Sequence, residues 1–254
     1  MDRFNVEKAI ITTINRLKYH HKQKEAISQG NNVTKFMDGF KEGMLKDQLD
    51  HSDVKVVAEK APDRFYKFFW FNPNIDQEKE EKDYQILEEH FKEGFCGVKI
   101  HSGFHRINIP KDIVKLVSFM QEFDKNLILY IHSLPKTSFF KGVSTKDLVN
   151  LAKSFPNLRI IVGHAANTMS YAMEVGMTLN YENIFFETSC SVSFGIYNLI
   201  KMIGHKKILF GSDSPTASTL PIEIEKIITL PRISKEIKQD ILFNNVNHLL
   251  GNVN

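Results

Sequence analysis

Thiols are scarce in this sequence: 254 residues carry only Cys96 and Cys190, far apart in the chain. That excludes a disulfide scaffold and fits a reducing compartment. Long hydrophobic runs are missing as well, none approaching the roughly 20 residues needed to span a bilayer. The opening Met-Asp-Arg-Phe-Asn-Val-Glu-Lys lacks the apolar core of a signal peptide. Nor is there an excess of charge: 33 basic against 30 acidic side chains leave +3, which gives no support for nucleic-acid or membrane-surface binding. The one dense charge run, Asp76 to Asp83, is mixed in sign and reads as a solvated helix start. A glycine-rich Gly-x-Gly-x-x-Gly turn after the first strand is also absent, which weakens a doubly wound dinucleotide fold. The expectation is a cytoplasmic protein with a small-molecule substrate and neither nucleic-acid nor membrane partners.

What is present is a set of short apolar runs that end on polar, chemically capable residues. Leu-Ile-Leu-Tyr-Ile-His ends at His132, Leu-Arg-Ile-Ile-Val-Gly-His at His164, Ile-Leu-Phe-Gly-Ser-Asp at Asp213 and Gly-Val-Lys-Ile-His at His101. Runs this short, apolar and branched suit parallel strands buried on both faces. Successive ends lie 31, 32, 25 and 24 residues apart from His101 through His132, His164 and Ser189 to Asp213. That is the length of a right-handed strand-helix-strand crossover. The predicted class is α/β, a single (β/α)8-type TIM barrel domain over 1–254, with its active site at the strand ends.

The pattern predicts strands at Ala9 to Ile14, Phe65 to Phe71, Gly97 to His101, up to His132, up to His164, Ile184 to Thr188 and Lys207 to Asp213. Between them it predicts helices at Val33 to Ala61 (broken near Asp50 to Asp53), Asp83 to Glu93, Pro110 to Phe123 and Ser144 or Thr145 to Phe155. Further helices are expected at Ser170 to Asn180, Gly195 to Ile203, Pro221 to Ile228 and Ser234 to Leu250, the last stopped by Gly251. Seven strands are countable where a closed barrel wants eight, and only eight residues precede the first. The barrel is therefore expected to be distorted and to lack its first strand in this chain.

His132, His164 and Asp213 together suit one divalent metal of borderline softness. Two imidazoles and a carboxylate leave positions open for water, as in catalytic rather than structural zinc. Such an ion lowers the pKa of water to about 7 and polarises a substrate oxygen. A lone histidine at a strand end is more often a core or surface residue; three such positions plus an aspartate on one face raise the joint reading. Lys99 and His101 share a side-chain direction by the period of two and, with Ser189, are candidates for substrate binding. Glu187 and Cys190 fall at the same strand end as Ser189, and nothing in the sequence supplies Cys190 with a partner for nucleophilic work.

The motifs Gly-Val-Lys-Ile-His at 97 to 101, Tyr-Ile-His-Ser at 130 to 133, Val-Gly-His-Ala at 162 to 165 and Leu-Phe-Gly-Ser-Asp-Ser-Pro at 209 to 215 resemble the amidohydrolase-related family of metal-dependent hydrolases. Ala-Pro-Asp-Arg-Phe and Phe-Asn-Pro, at 61 to 65 and 71 to 73, and Asn-Asn-Val-Asn-His-Leu-Leu-Gly at 244 to 251, fit the same order. The resemblance implies a distorted barrel with a mononuclear or binuclear metal centre. Its activity would be hydrolysis of amides, esters or lactones, or non-oxidative decarboxylation of aromatic and unsaturated acids. By matching positions it makes His132 a metal ligand, His164 a second ligand or acid/base group, and Asp213 a ligand that takes the proton from the attacking water. Zinc is the expected metal, with manganese as the alternative.

One departure stands out: the family's first strand carries His-x-His, and this sequence has none. His20-His21, in a polar loop from Asn15 to Asn32, is a substitute of low prior. Three readings follow: a metal-dependent hydrolase or decarboxylase using the remaining ligands, a metal-poor binding or regulatory relative, or a chain whose missing strand lies upstream of an internal methionine. An open gap between first and last strands would expose two unpaired edges, so a homodimer is among the expected assemblies. Substrate identity rests with loops such as Ser102 to Asn108 and Ser133 to Val143, and Arg106 would suit an acidic substrate.

Overall fold

A computed structural model of the protein describes residues 1–13, 48–73, 77–133 and 142–251. His20, His21, Ile14, most of the Ser133–Val143 loop and the helix expected over 33–47 lie outside the described residues. The chain divides into two compact units, Met1–Ile107 and Asn108–Asn254. The fold is α/β, of the distorted (β/α)8 barrel type: parallel strands follow one another in chain order with helices between them. Among the described residues no helix is long and apolar enough to cross a membrane.

The first unit holds β1 (Ala9–Ile11), α1 (Ser52–Lys60), β2 (Phe65–Trp70), α2 (Glu80–Lys92) and β3 (Phe95–His101). β2 pairs in parallel with β1, Ile11 opposite Lys67, and with β3, Trp70 opposite Lys99, with a register shift between Lys67 and Phe68. β1 is three residues long, so it offers no partner as far along as Trp70. His51 fills that role: its Nε2 accepts the Trp70 backbone N–H at 2.7 Å while Nδ1 meets the Leu49 carbonyl at 2.9 Å. The ring stacks on Phe69 at 4.0 Å and meets Phe95 edge-on. An aromatic-rich strand, Phe-Tyr-Lys-Phe-Phe-Trp, gives this core Phe68, Phe69 and Trp70, each fully buried ring contributing about 1.5–3 kcal/mol.

The second unit holds α3 (Val114–Phe123), β4 (Ile128–His132), α4 (Thr145–Ser154), β5 (Arg159–Gly163), α5 (Met169–Thr178), β6 (Ile184–Glu187), α6 (Ser193–Ile203), β7 (Ile208–Leu209) and α7 (Leu220–Ile228). The strands run β4-β5-β6-β7 in parallel, with His132 opposite Gly163 and Glu187 opposite Leu209. Ile128, Leu129, Ile131, Ile160, Val162 and Phe186 are buried on the two faces of the sheet, and Leu116, Leu148 and Leu199 are buried on the helices. α4 begins with a capping box, Ser144 and Asp147 exchanging side-chain and backbone hydrogen bonds. Thr168 caps α5 through the Tyr171 N–H.

Two expectations change here. The last strand is Ile208–Leu209 rather than Lys207 to Asp213, because the Phe210 N–H bonds at 3.0 Å to the carbonyl of Ile241. Ile241 lies in a π-helical turn, Asp240–Asn244, inside the closing helix, between Lys235–Gln239 and Asn245–Leu250. Asn245 binds the carbonyls of His205 and Ile208 at 2.7 and 2.8 Å, holding that turn against the start of β7. Gly251 ends the helix in a right-handed conformation, φ −61°, and not as the left-handed cap its identity suggests.

Candidate active site

Four consecutive strands of the second unit deliver polar groups at their C-terminal ends. His132 is the last residue of β4 and His164 the first after β5; Ser189 and Cys190 follow β6, and Asp213 follows β7. His164, Cys190 and Asp213 adopt left-handed backbone, with φ 58°, 55° and 46°. Non-glycine residues seldom do so, and each instance costs of order 1 kcal/mol or more. The chain turns sharply at each strand end while keeping a chemically capable side chain there.

Glu187 organises the cluster. It is 7% exposed, and an ionised carboxylate at that depth needs donors. Its Oε1 accepts the Ser189 N–H at 2.7 Å. Its Oε2 accepts the His164 N–H at 3.1 Å, the Tyr130 hydroxyl at 2.9 Å and the Ser189 hydroxyl at 2.9 Å. Four donors thus meet one carboxylate, two from backbone amides of the strained turns. The space that Glu187 and Tyr130 occupy requires two glycines. A Cβ at Gly211 would strike the Glu187 carboxylate, and one at Gly163 would strike the Tyr130 hydroxyl. Burial, then the Glu187 charge, push the Tyr130 phenol well above its ordinary range, so it stays a donor.

This network fixes the tautomer of His164. Its Nδ1 lies 3.1 Å from the Ser189 carbonyl, which can only accept, so Nδ1 carries the proton. The Ser189 hydroxyl, already donating to Glu187, accepts from the same Nδ1 at 2.9 Å. In the neutral ring that leaves the lone pair on Nε2, which is hydrogen-bonded at 3.0 Å to Nδ1 of His132. Second-partner hydrogen bonds that fix a ring in this way are the usual support of a metal-binding histidine.

The ligand atoms of His164, Cys190 and Asp213 all lie within 4.8 Å of one another, and Cys190 Sγ is 3.8 Å from Asp213 Oδ2. Imidazole, carboxylate and thiol suit a borderline divalent ion, so the donor set fits the metal expected here. His132 joins through its contact with His164. Burial, then Asp213, Glu223 and Glu187, push the Cys190 thiol up to about 12, which removes it as a free nucleophile at neutral pH.

Of the residues expected to form a site, the structure brings His132, His164, Ser189 and Asp213 into one cluster. Lys99 and His101 belong to the first unit. There Lys99 Nζ lies 4.9 Å from the centre of the Trp70 ring, and His101 stacks on Phe104 at 3.8 Å. Sequence reasoning did not find the roles of Glu187 and Tyr130 or the closeness of Cys190. A signal existed for two of them: Glu187 is a carboxylate ending an otherwise apolar strand, and Tyr130 shares the His132 side of β4 by the period of two.

Solved structures with this fold include a probable 2-pyrone-4,6-dicarboxylic acid hydrolase from Acinetobacter baumannii with citric acid bound. It is 14% identical, with a TM-score of 0.63 over 98% of this chain and 85% of that one. A 2,6-dihydroxybenzoate decarboxylase from Rhizobium is 16% identical, with a TM-score of 0.61 over 99% and 86%. A 5-carboxyvanillate decarboxylase from Novosphingobium aromaticivorans, solved with manganese and a nitrobenzoic acid, is 16% identical, with a TM-score of 0.61 over 99% and 79%. At these identities the likeness is one of fold. No curated protein matches the sequence. The amidohydrolase family profile matches residues 25–251, a span that includes every residue of the strand-end cluster, and the chain belongs to the amidohydrolase family.

Proposed function

We propose that the protein is a metal-dependent hydrolase of a small amide, ester or lactone, working at the strand ends of the second unit. The carrying observation is the fixed Nδ1 proton of His164, which turns Nε2 to His132, together with the closeness of a His164 ring nitrogen to the Asp213 and Cys190 donors, all within 4.8 Å of one another. His132, His164 and Asp213 hold the ion in this reading, zinc before manganese. When bound, the ion supplies Lewis acidity and lowers the pKa of water toward 7. Asp213, half-exposed, takes the proton from the attacking water and returns it to the leaving group as the acyl bond breaks. Ser189 and Glu187 hold the His164 ring in place throughout. Both cysteines are free thiols, in keeping with a cytoplasmic setting.

Decarboxylation of a small carboxylic acid on the same site is the second reading, supported by decarboxylases among the structures sharing the fold. Elemental analysis of purified protein and a panel of esters, lactones and aromatic acids test the pair. Stoichiometric zinc or manganese, lost in Asp213→Ala, with hydrolysis of a panel ester or lactone reduced about 10²–10⁴-fold, is the expected result. Carbon dioxide release without uptake of solvent oxygen into the product moves the assignment to the decarboxylase. Protein that takes up no metal after supplementation with either ion overturns both.

A further inference from the structure

We infer that Cys190 is a ligand of the metal, so that the centre contains a thiolate and prefers thiophilic ions. The inference rests on the metal-dependent reading and adds a donor to it. Metal–sulfur bonds are about 2.3 Å and metal–oxygen bonds about 2.0–2.2 Å, so two donors sharing one ion lie within roughly 4.5 Å of each other. Cys190 Sγ and Asp213 Oδ2, at 3.8 Å, meet that limit without rearrangement. The His164 ligand atom falls in the same group, whose members lie within 4.8 Å of one another. Among the described residues, this is the one cluster of three such side chains.

The backbone carries a second line of argument. Cys190 holds φ 55°, where glycine is the residue of least strain, and so do the other two members of the group at 58° and 46°. Each of the three turns points a donor side chain at the others. Cys190 is also half-exposed rather than packed in the core, unlike Cys96, which is buried in β3. A cysteine kept for volume would resemble Cys96. One kept for coordination needs an approach for the ion.

Coordination converts the thiol to thiolate: the S–H bond breaks, the metal–sulfur bond forms, and one proton leaves to solvent. A soft sulfur donor shifts the site toward zinc and cadmium and away from manganese, which favours oxygen donors.

Cobalt(II) reports sulfur ligation through a thiolate-to-metal charge-transfer band in the near ultraviolet. The full chain, freed of metal by a chelator, is titrated with cobalt and separately with cadmium and manganese. Wild type and Cys96→Ser are expected to develop the band, and Cys190→Ser to bind cobalt without it. The ratio of cadmium to manganese affinity should fall about tenfold or more in Cys190→Ser. Cys190→Asp guards against misfolding, since aspartate tolerates left-handed backbone. It should keep cobalt binding, lack the band and move the preference further toward manganese. Cobalt bound by wild type without the band, or a band that survives in Cys190→Ser, overturns the thiolate ligand alone. Failure of wild type to bind cobalt, cadmium or manganese overturns the metal-dependent reading as well.

Discussion

His51 and His105 in the first unit are 1% exposed and His164 in the second is 3% exposed, so burial does not separate them. Their partners do. His51 spends both nitrogens on the local fold, one on the Leu49 carbonyl and one on the Trp70 amide. His105 accepts the Trp70 indole N–H at 2.9 Å. Both rings sit among aromatic side chains on relaxed backbone. His164 spends Nδ1 on Ser189 and pairs Nε2 with another candidate ligand, Nδ1 of His132, from a left-handed backbone position supported by a buried carboxylate. A buried histidine is structural when its hydrogen bonds close within the fold. It is a candidate for chemistry when the network fixes one nitrogen and leaves the other aimed at a cluster of donors.

Alanine at each position breaks the comparison most forcefully. His51→Ala removes an aromatic ring from a packed core and leaves the Trp70 N–H without its acceptor, a loss of about 3–5 kcal/mol in stability. The metal affinity of the folded fraction should not change. His164→Ala should weigh on the other scale, costing at least about 100-fold in metal affinity, while the alanine Cβ leaves the strain of the left-handed position in place. Denaturant unfolding and metal titration of both variants decide the matter. Equal losses on both scales in both variants would erase the distinction between the two kinds of histidine.

Glu187→Gln sharpens the same comparison from the supporting side. Glutamine presents an NH₂ group where a carboxylate oxygen now accepts, so one or more of the four donors facing it loses a partner. The expected costs are about 1–3 kcal/mol in stability and roughly 10–100-fold in metal affinity, the usual range for a group that orients a ligand. Stability lost with metal affinity retained would make Glu187 a structural carboxylate only.

The strand ends were legible because a buried parallel strand is a short apolar run, and a polar residue at its end breaks the run visibly. His132, His164 and Asp213 were found that way, along with the order of strands and helices. The closeness of Cys190 to Asp213 was not, since it depends on two left-handed turns that hydrophobic periodicity does not record. The Glu187 network depends on empty volume at Gly163, filled by Tyr130 of β4, and at Gly211, which becomes visible only when β4 to β7 lie side by side. β7 was read four residues too far at its C-terminal end because the competitor for the Phe210 amide, Ile241, lies 31 residues further on in a π-turn. Local pattern reaches as far as the strand ends; long-range partners decide what happens past them.

Acid should distinguish the structural histidines by a smaller effect. Burial pushes His51 down to about 3, against a weaker opposing pull from the Leu49 carbonyl, and burial pushes His105 down to about 3 as well. Burial also lowers His90. The unfolded chain binds these protons near pH 6.5 and the folded chain does not. Stability is therefore full above pH 6.5 and is lost as pH falls from there toward about 3. Asp240, held down to about 2 by Asn244 and Lys206, gives way only between 3.8 and 2, below most of that window. Trp70, the single tryptophan, bonds through its backbone to His51 and through its indole to His105, so its fluorescence reports the region directly. His51→Gln retains an oxygen acceptor for the Trp70 amide and removes one titrating ring. Relative to its own stability at pH 8, the variant should lose about 1.4 kcal/mol less than wild type by pH 5.5. Identical acid profiles for the two proteins would mean that His51 accepts a proton inside the fold, and the contrast with His164 would then rest on geometry alone.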